Sequence, residues 1–331
     1  MFNLFVNERF MTELKRYEKI KDAFHQEIEY KEKKLYLNSK NINLISNNIP
    51  DFVSDGLDNL TNKMSEFYDL VKFPNYDDCE DYASLYDKGI KNLFTKRIDE
   101  ELNYGTNILE LGCGTGQLSL FLARGNRNIF SVDISNGSLI LGEKFRSDND
   151  IKNVYFMKMD VFDLKFKKDY FDFTISNGVL HHTKDARKAF KSLVEVTKPE
   201  GLIVIGLYHK YGRFFTKVKQ KLARILGKKI FLLDKTSLKI KSRNKRNAWV
   251  KDQFMNPHET LHLPSEIMQW FKEEGVEFVN LIPHSDDISM PLFQTREKPK
   301  LSSLNEFFMI FDRNQIQEGG FFVIIGRKNK Y

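Results

Sequence analysis

One stretch constrains this chain more than any other: residues 107–133 read N-I-L-E-L-G-C-G-T-G-Q-L-S-L-F-L-A-R-G-N-R-N-I-F-S-V-D. Ile108, Leu109 and Leu111 form an apolar run of buried-strand length. Gly112, Gly114 and Gly116 then make a turn whose backbone can lie against a ligand, because glycine has no Cβ and accepts positive φ at little cost. Leu118 to Ala123 carry the apolar side of a helix, and Asn128 to Val132 return as a second strand. Asp133 ends the unit, 21 positions after Gly112, where a carboxylate can accept bonds from both ribose hydroxyls of an adenine nucleoside. Such a unit predicts an α/β, doubly wound sheet with a site for a nucleoside-bearing cofactor at the carboxyl ends of its strands.

The glycine spacing narrows the cofactor. A dinucleotide fingerprint would place its third glycine at position 117, which is Gln117. Glu110 also stands two residues before the first glycine, a poor neighbour for a pyrophosphate and a good one for the positively charged amino-acid end of S-adenosylmethionine. The run E-L-G-C-G-T-G resembles the first motif of the class I S-adenosylmethionine-dependent methyltransferases. That resemblance implies a seven-stranded Rossmann-like sheet, S-adenosylmethionine as cofactor, and a binding loop made of Glu110, Gly112, Cys113, Gly114 and Gly116, with Asp133 and Ile134 at the end of the second strand.

The pattern continues in order. Asn153 to Met157 reads as a third strand, and Asp160, Val161 and Phe162 follow where the resembled family holds its adenine ring, the acidic residue on the amino group. Tyr170 to Ser176 is the fourth strand, ending in Asn177-Gly178-Val179-Leu180-His181-His182. Asn177 is expected beside the cofactor. His181 and His182 stand near where the methyl should emerge, as candidates to contact the acceptor or take its proton. A helix over 185–196, the turn Lys198-Pro199-Glu200-Gly201 and a fifth strand over 202–207 follow. Residues 277–282 and 321–325 suit the antiparallel hairpin that closes this family's sheet. The expected domains are an N-terminal appendage (1–54), a helical cap (55–104) and the methyltransferase domain (105–331), with an insertion over 209–276.

In the appendage, residues 1–24 look helical. Residues 25–54 read as short β pieces whose end, N-N-I-P-D-F-V, resembles the last strand of the small zinc-ribbon-like Trm112-type module, here without the cysteine pairs of a metal-binding version. Helices over 58–72 and 77–102 carry Phe67, Tyr68, Tyr82 and Tyr86, which could either cover the cofactor or pack in the core.

Charge singles out the insertion. The chain carries +7, but residues 209–252 hold fifteen Lys or Arg against two Asp, so the remaining residues sum to −6. Within the insertion, 213–233 reads as a cationic amphipathic helix with Phe215, Val218, Leu222, Ile225 and Leu226 on one face. Three roles suit it: a lid packed on the domain, peripheral contact with an anionic membrane beside a lipid-soluble acceptor, or a hold on a nucleic-acid backbone.

His258-Glu259-Thr260-Leu261-His262 matches H-E-x-x-H, but Pro257 and Pro264 bracket it, and zinc ligation by that motif needs a sustained helix. No metal is therefore expected, and His258 or Glu259 stands as a further candidate base on a loop over the site, with Asp252 nearby. The two cysteines, Cys79 and Cys113, cannot build a disulfide framework. No apolar run reaches spanning length, and Glu8 and Arg9 interrupt the N-terminus before a signal-like core develops. A cytoplasmic location is expected. The acceptor is expected to be a small molecule, a quinone-, lipid- or sugar-like hydroxyl compound, since V-L-H-H-T stands in place of the N/D-P-P-Y/F motif of amine methylases. The alternatives are an RNA methyltransferase using the basic insertion, and a nucleoside-binding regulatory protein without turnover.

Overall fold

The computed structural model describes residues 15–32, 34–46, 48–53, 56–72, 74–226, 238, 242–283, 290–308 and 320–330. The N-terminal segment gives a 3-10 helix, Arg16–Ala23, with residues 1–14 of the expected helix outside the described residues. It continues into strands β1 (Ile28–Lys31), β2 (Lys34–Leu37), β3 (Lys40–Asn41), β4 (Asn43–Ile45) and β5 (Ile49–Asp51). Three helices follow: α1 (Asn59–Val71), α2 (Tyr82–Ile90) and α3 (Leu93–Glu101). Asp58 caps α1 by accepting from the Leu60 and Thr61 amides. The single helix expected over 77–102 is two, because the Asn92 side chain accepts from the Phe94 and Thr95 amides and starts a new N-terminus there.

The alternating unit is next: β6 (Asn107–Leu111), α4 (Gln117–Phe121), β7 (Asn128–Asp133), α5 (Asn136–Asp148), β8 (Val154–Lys158), β9 (Phe171–Asn177), α6 (Ala186–Val196) and β10 (Thr197–Tyr208). The turn expected at 198–201 is an irregularity inside β10, whose register against β9 shifts between Thr197 and Leu202. Among the described residues the insertion contributes helices α7 (Phe214–Leu226), α8 (Arg243–Met255) and α9 (Pro264–Glu273), followed by β11 (Val276–Ile282), α10 (Ser303–Phe308) and β12 (Phe321–Lys328). Residues 227–233 of the expected amphipathic helix lie outside the described residues. Pro264 opens α9, at a position where its missing N–H costs nothing.

The main sheet runs β11-β12-β10-β9-β6-β7-β8-β5-β4. It thus holds nine strands where seven were expected. The seven from β6 onward all occur, with β11 and β12 antiparallel, and β5 and β4 of the appendage lengthen the edge beyond β8. A single bridge between Asp51 and Lys158 makes that extension, reinforced by the Phe52 amide on the Lys158 carbonyl at 2.9 Å. Buried charge fixes the appendage as well. Arg16 donates to Glu143 at 3.0 Å and to the Val154 carbonyl at 2.6 Å, while Arg146 meets Glu143 at 2.8 Å.

The central strands are apolar on both faces because both are covered. Leu109, Leu111, Phe130 and Val132 pack into one cluster with α6 and α9. Ile108, Ile129, Phe173 and Ile175 pack into the other with α2 and α5. Strand order reverses between β6 and β9, so the carboxyl ends of β6, β7 and β9 open on a crevice there.

Candidate active site

A cavity of about 550 Å³ occupies that crevice. Its floor is the glycine turn, which β7 holds in place: the Gly112 and Cys113 amides both donate to the Val132 carbonyl, at 2.7 and 3.0 Å. Gly112, Gly114 and Gly116 all lie in the left-handed region, with φ of 75°, 54° and 76°. Space forbids a side chain too. A Cβ on Gly112 would fall 2.3 Å from Val179, and one on Gly116 would fall 2.4 Å from the Phe156 ring.

Glu110, Gly112, Cys113, Gly114, Asp133, Ile134, Asp160, Val161 and Asn177 all line the cavity, so the expected cofactor residues are brought together, with Gly116 just behind in the same turn. Asp133 has a second task that the sequence did not reveal. Its Oδ2 accepts from the Gly114 amide at 2.7 Å and its Oδ1 from the Ser135 amide at 2.8 Å. The carboxylate therefore shapes the turn and still has one lone pair per oxygen for a ligand. Burial holds its pKa above the ordinary carboxylate value.

Glu110 is more deeply enclosed. One oxygen accepts from the Ser119 amide at 3.0 Å and from the Ser119 hydroxyl. Burial nevertheless pushes its pKa up to about 7. Asp160 accepts from the Phe162 amide at 3.0 Å, a local turn that presents Val161 and Phe162 to the cavity. Read along the cavity, the groups suit an ammonium at Glu110, a diol at Asp133 and an aminopurine at Asp160. They match the three polar parts of S-adenosylmethionine in order, so the residues present fit that cofactor.

The cap forms the roof. Thr61, Met64 and Tyr68 of α1 line the cavity, while Tyr76 stacks on Phe145 at 4.2 Å and donates to the Thr115 carbonyl at 2.7 Å. Tyr86 instead stacks on Phe121 at 5.3 Å.

The two histidines after β9 part company. His182 lines the cavity, and its Nδ1 lies 2.7 Å from the His258 carbonyl. A carbonyl can only accept, so the proton sits on Nδ1 and Nε2 keeps its lone pair. Burial lowers its pKa to about 4. His181 is fully buried against Tyr208, with ring centres 4.0 Å apart. Both of its ring nitrogens lack a hydrogen-bond partner, and it is absent from the cavity wall. His258 touches the site through its carbonyl alone; its imidazole is not part of the wall.

The segment 258–262 is not helical, and His262 forms an isolated bridge with His209. The His262 amide donates to Tyr208 at 2.9 Å, and its carbonyl accepts from Lys210 at 2.9 Å. The His262 ring is engaged on both sides, with Nε2 at Thr260 Oγ1, 2.8 Å away, and Nδ1 at Glu266. Glu259 is held by Arg213 at 2.8 Å and Lys217 at 2.6 Å. Among the described residues no cluster of three or more His, Cys, Asp or Glu is placed to hold a metal. Cys79 and Cys113 are both buried and form no disulfide.

Four cavity residues were not foreseen together: Tyr68, Tyr208, Asp252 and Gln253. They come from α1, β10 and α8, and separations such as the 184 positions between Tyr68 and Asp252 hide such a cluster from any local pattern. The sequence signals were Tyr68 among the aromatics of the cap and an Asp among the many cations of the insertion.

An open α/β sheet with its cofactor crevice at the strand reversal, a left-handed glycine turn and a carboxylate after β7 defines a nucleoside-cofactor enzyme of the class I methyltransferase kind. The family described as "Methyltransferase domain" matches residues 102–275, more than half of the chain, and the chain belongs to it, within the class I S-adenosylmethionine-dependent methyltransferases. It is 39% identical over 102 residues to the demethylmenaquinone methyltransferase of Clavibacter sepedonicus, covering 30% of this chain and 40% of that one. It is 32% identical over 105 residues to the ubiquinone/menaquinone biosynthesis C-methyltransferase UbiE of Vibrio campbellii, with the same coverage. The chain thus spans about 40% of the length of these relatives. Among solved structures, PKMT2 from Rickettsia typhi shares the fold, with a TM-score of 0.51 at 16% identity, over 72% of this chain and 53% of that one.

Proposed function

We propose that this enzyme methylates a small-molecule hydroxyl compound, quinone-, lipid- or sugar-like, and that the insertion serves as the cover of the acceptor end. The observation that carries the reading is the cavity wall opposite the glycine turn. There α8 of the insertion supplies Asp252 and Gln253, which line the same cavity as His182, Tyr208 and Tyr68. When bound, S-adenosylmethionine supplies an electrophilic methyl group on a sulfonium. The chain's part is to align the acceptor with it, keep water out and receive a proton. A cavity of about 550 Å³ lined by side chains from three elements at this wall suits a compact acceptor better than a polymer. Of the two curated relatives, one is named for demethylmenaquinone and the other as a C-methyltransferase of ubiquinone/menaquinone biosynthesis, each matched over 30% of this chain.

The outer side of the insertion supports peripheral contact with an anionic membrane as a source of lipid-soluble acceptor. Val218 and Leu222 of α7 are 38% and 40% exposed on a strongly cationic helix. No helix among the described residues is long and apolar enough to cross a membrane.

The deciding experiment is incubation with methyl-labelled S-adenosylmethionine and fractionated cell extract. Label should enter the small-molecule or lipid fraction. Label recovered chiefly in RNA would overturn the reading in favour of the nucleic-acid alternative.

A further inference from the structure

A chain of hydrogen bonds runs through the polar wall that holds Asp252, and the direction of these bonds follows from the groups that can only donate. Arg213 can only donate, and it gives Nη1 to Gln253 Oε1 at 2.8 Å. The Gln253 amide is thereby oriented, so its Nε2 donates to Asp252 Oδ2 at 2.9 Å and to the Tyr208 hydroxyl at 3.0 Å. On the other side, the His258 amide donates to Asn256 Oδ1 at 3.2 Å. That leaves Asn256 Nδ2 to donate to the Tyr68 hydroxyl at 2.9 Å. The Tyr68 proton then goes to Asp252 Oδ1 at 3.0 Å. Two directed donors from opposite sides stabilise Asp252 as a carboxylate inside the cavity.

We propose that Asp252 is the group that takes the proton from the acceptor, that Tyr68 and Gln253 are its positioning residues, and that the acceptor is a neutral hydroxy-aromatic compound. The proposal rests on the methyl-transfer reading of this cavity. Of the three histidines after β9 and in the insertion that sequence offered, one is sealed from the cavity and one meets it through backbone alone. The third, His182, faces it as a hydrogen-bond acceptor whose burial disfavours holding a proton. Asp252 places a carboxylate on this wall. The aromatic side chains of Tyr68 and Phe321 on the same wall suit a flat apolar body. A carboxylate already in place disfavours an anionic ligand. A cationic amine would pair with Asp252, but an ammonium has no lone pair with which to attack.

In the transfer step an oxygen lone pair forms the new C–O bond while the C–S bond breaks, its electron pair leaving on sulfur as a neutral thioether. The hydroxyl proton passes to Asp252, which returns it to water when the product leaves.

The test uses the full chain with S-adenosylhomocysteine bound and 4-nitrophenol as probe, because its phenol and phenolate forms absorb at different wavelengths. Asp252→Asn should leave S-adenosylhomocysteine affinity unchanged by calorimetry. The wild-type site should hold about tenfold less phenolate than the variant, since a like charge raises the pKa of a neighbouring acid by about one unit or more. Tyr68→Phe, which removes one donor from the carboxylate, should move the bound probe the opposite way, towards phenol. Should Asp252→Asn fail to fold, Tyr68→Phe decides alone: a shift towards phenol supports the assignment and no shift defeats it. Equal phenolate fractions in wild type and Asp252→Asn would overturn the assignment. So would failure of the wild type to bind 4-nitrophenol, or its preference for benzylamine. Failure of the wild type to bind S-adenosylhomocysteine would sink the methyl-transfer reading itself.

Discussion

Replacing Asp133 by Ala should damage two things at once, and the structure separates them. The first is the glycine turn. The Gly114 and Ser135 amides donate to the two carboxylate oxygens at 2.7 and 2.8 Å, and both would lose their acceptor. A buried donor left unpaired costs about 1–3 kcal/mol, so the variant should lose roughly 2–4 kcal/mol of stability if water reaches one amide in part. The second is the ribose. Bonds to a charged group contribute about 1.5–3 kcal/mol each, and even one lost in full lowers affinity about tenfold. Asp133→Asn is the informative companion. It keeps one acceptor oxygen for one amide, opposes an NH₂ group to the other, and offers the ribose one acceptor instead of two. Its stability and affinity should therefore fall between those of wild type and Asp133→Ala. Denaturant titration of the apo protein reads the first effect, and calorimetry with S-adenosylhomocysteine below the transition reads the second. Wild-type affinity in a folded Asp133→Ala protein would remove the carboxylate from the ribose. Unchanged stability would mean the turn does not depend on it.

Three further outcomes follow from the buried charges. Burial raises Glu110 from 4.5 to about 7, so the folded protein holds a proton that the unfolded chain releases, and stability should fall as pH rises between those values. A cofactor ammonium beside Glu110 should draw that proton off, and calorimetry in buffers of different ionisation enthalpy at pH 7 should detect release of up to about half a proton; no release, or uptake, would place the ammonium elsewhere. His181 is buried without partners and its pKa lies well below 6.5, so it favours unfolding as pH drops below that value, where the unfolded ring takes up a proton. His181→Phe should raise stability at neutral pH by about 1–2 kcal/mol and soften the acid loss, and a clearly lowered thermal midpoint would refute this. The Arg213–Glu259 pair is 4% exposed on both sides, so Arg213→Met should cost about 3–5 kcal/mol by stranding a buried carboxylate, and a variant as stable as wild type would show that Lys217 alone suffices.

How much of this was legible in the sequence depended on distance along the chain. The glycine turn and Asp133 lie within one strand-turn-helix-strand unit, so local pattern carried both the fold and the cofactor end. Asp160 and Asn177 followed because each ends a strand of the same sheet. The second role of Asp133, as acceptor for the turn's own amide, depends on the curvature of that turn and has no sequence signature. His181 and His182 are adjacent and alike in composition, yet the short 3-10 turn that holds them, Leu180–His182, sends one to the core and the other to the cavity. Strand period alone could not assign β5 to the main sheet, because it joins through a single bridge. The acceptor end was the least legible. Its residues come from helices, a strand and an insertion that only the folded chain brings together.

The most direct measurement is a crystal structure with S-adenosylhomocysteine bound. Both ribose hydroxyls should lie on Asp133, the adenine between Asp160 and Phe162, the amino-acid end at Glu110, and the sulfur facing the side of the cavity that carries Tyr68, His182 and Asp252. A ligand bound in the reverse direction, or with its sulfur turned away from that wall, would contradict the assignment of this site.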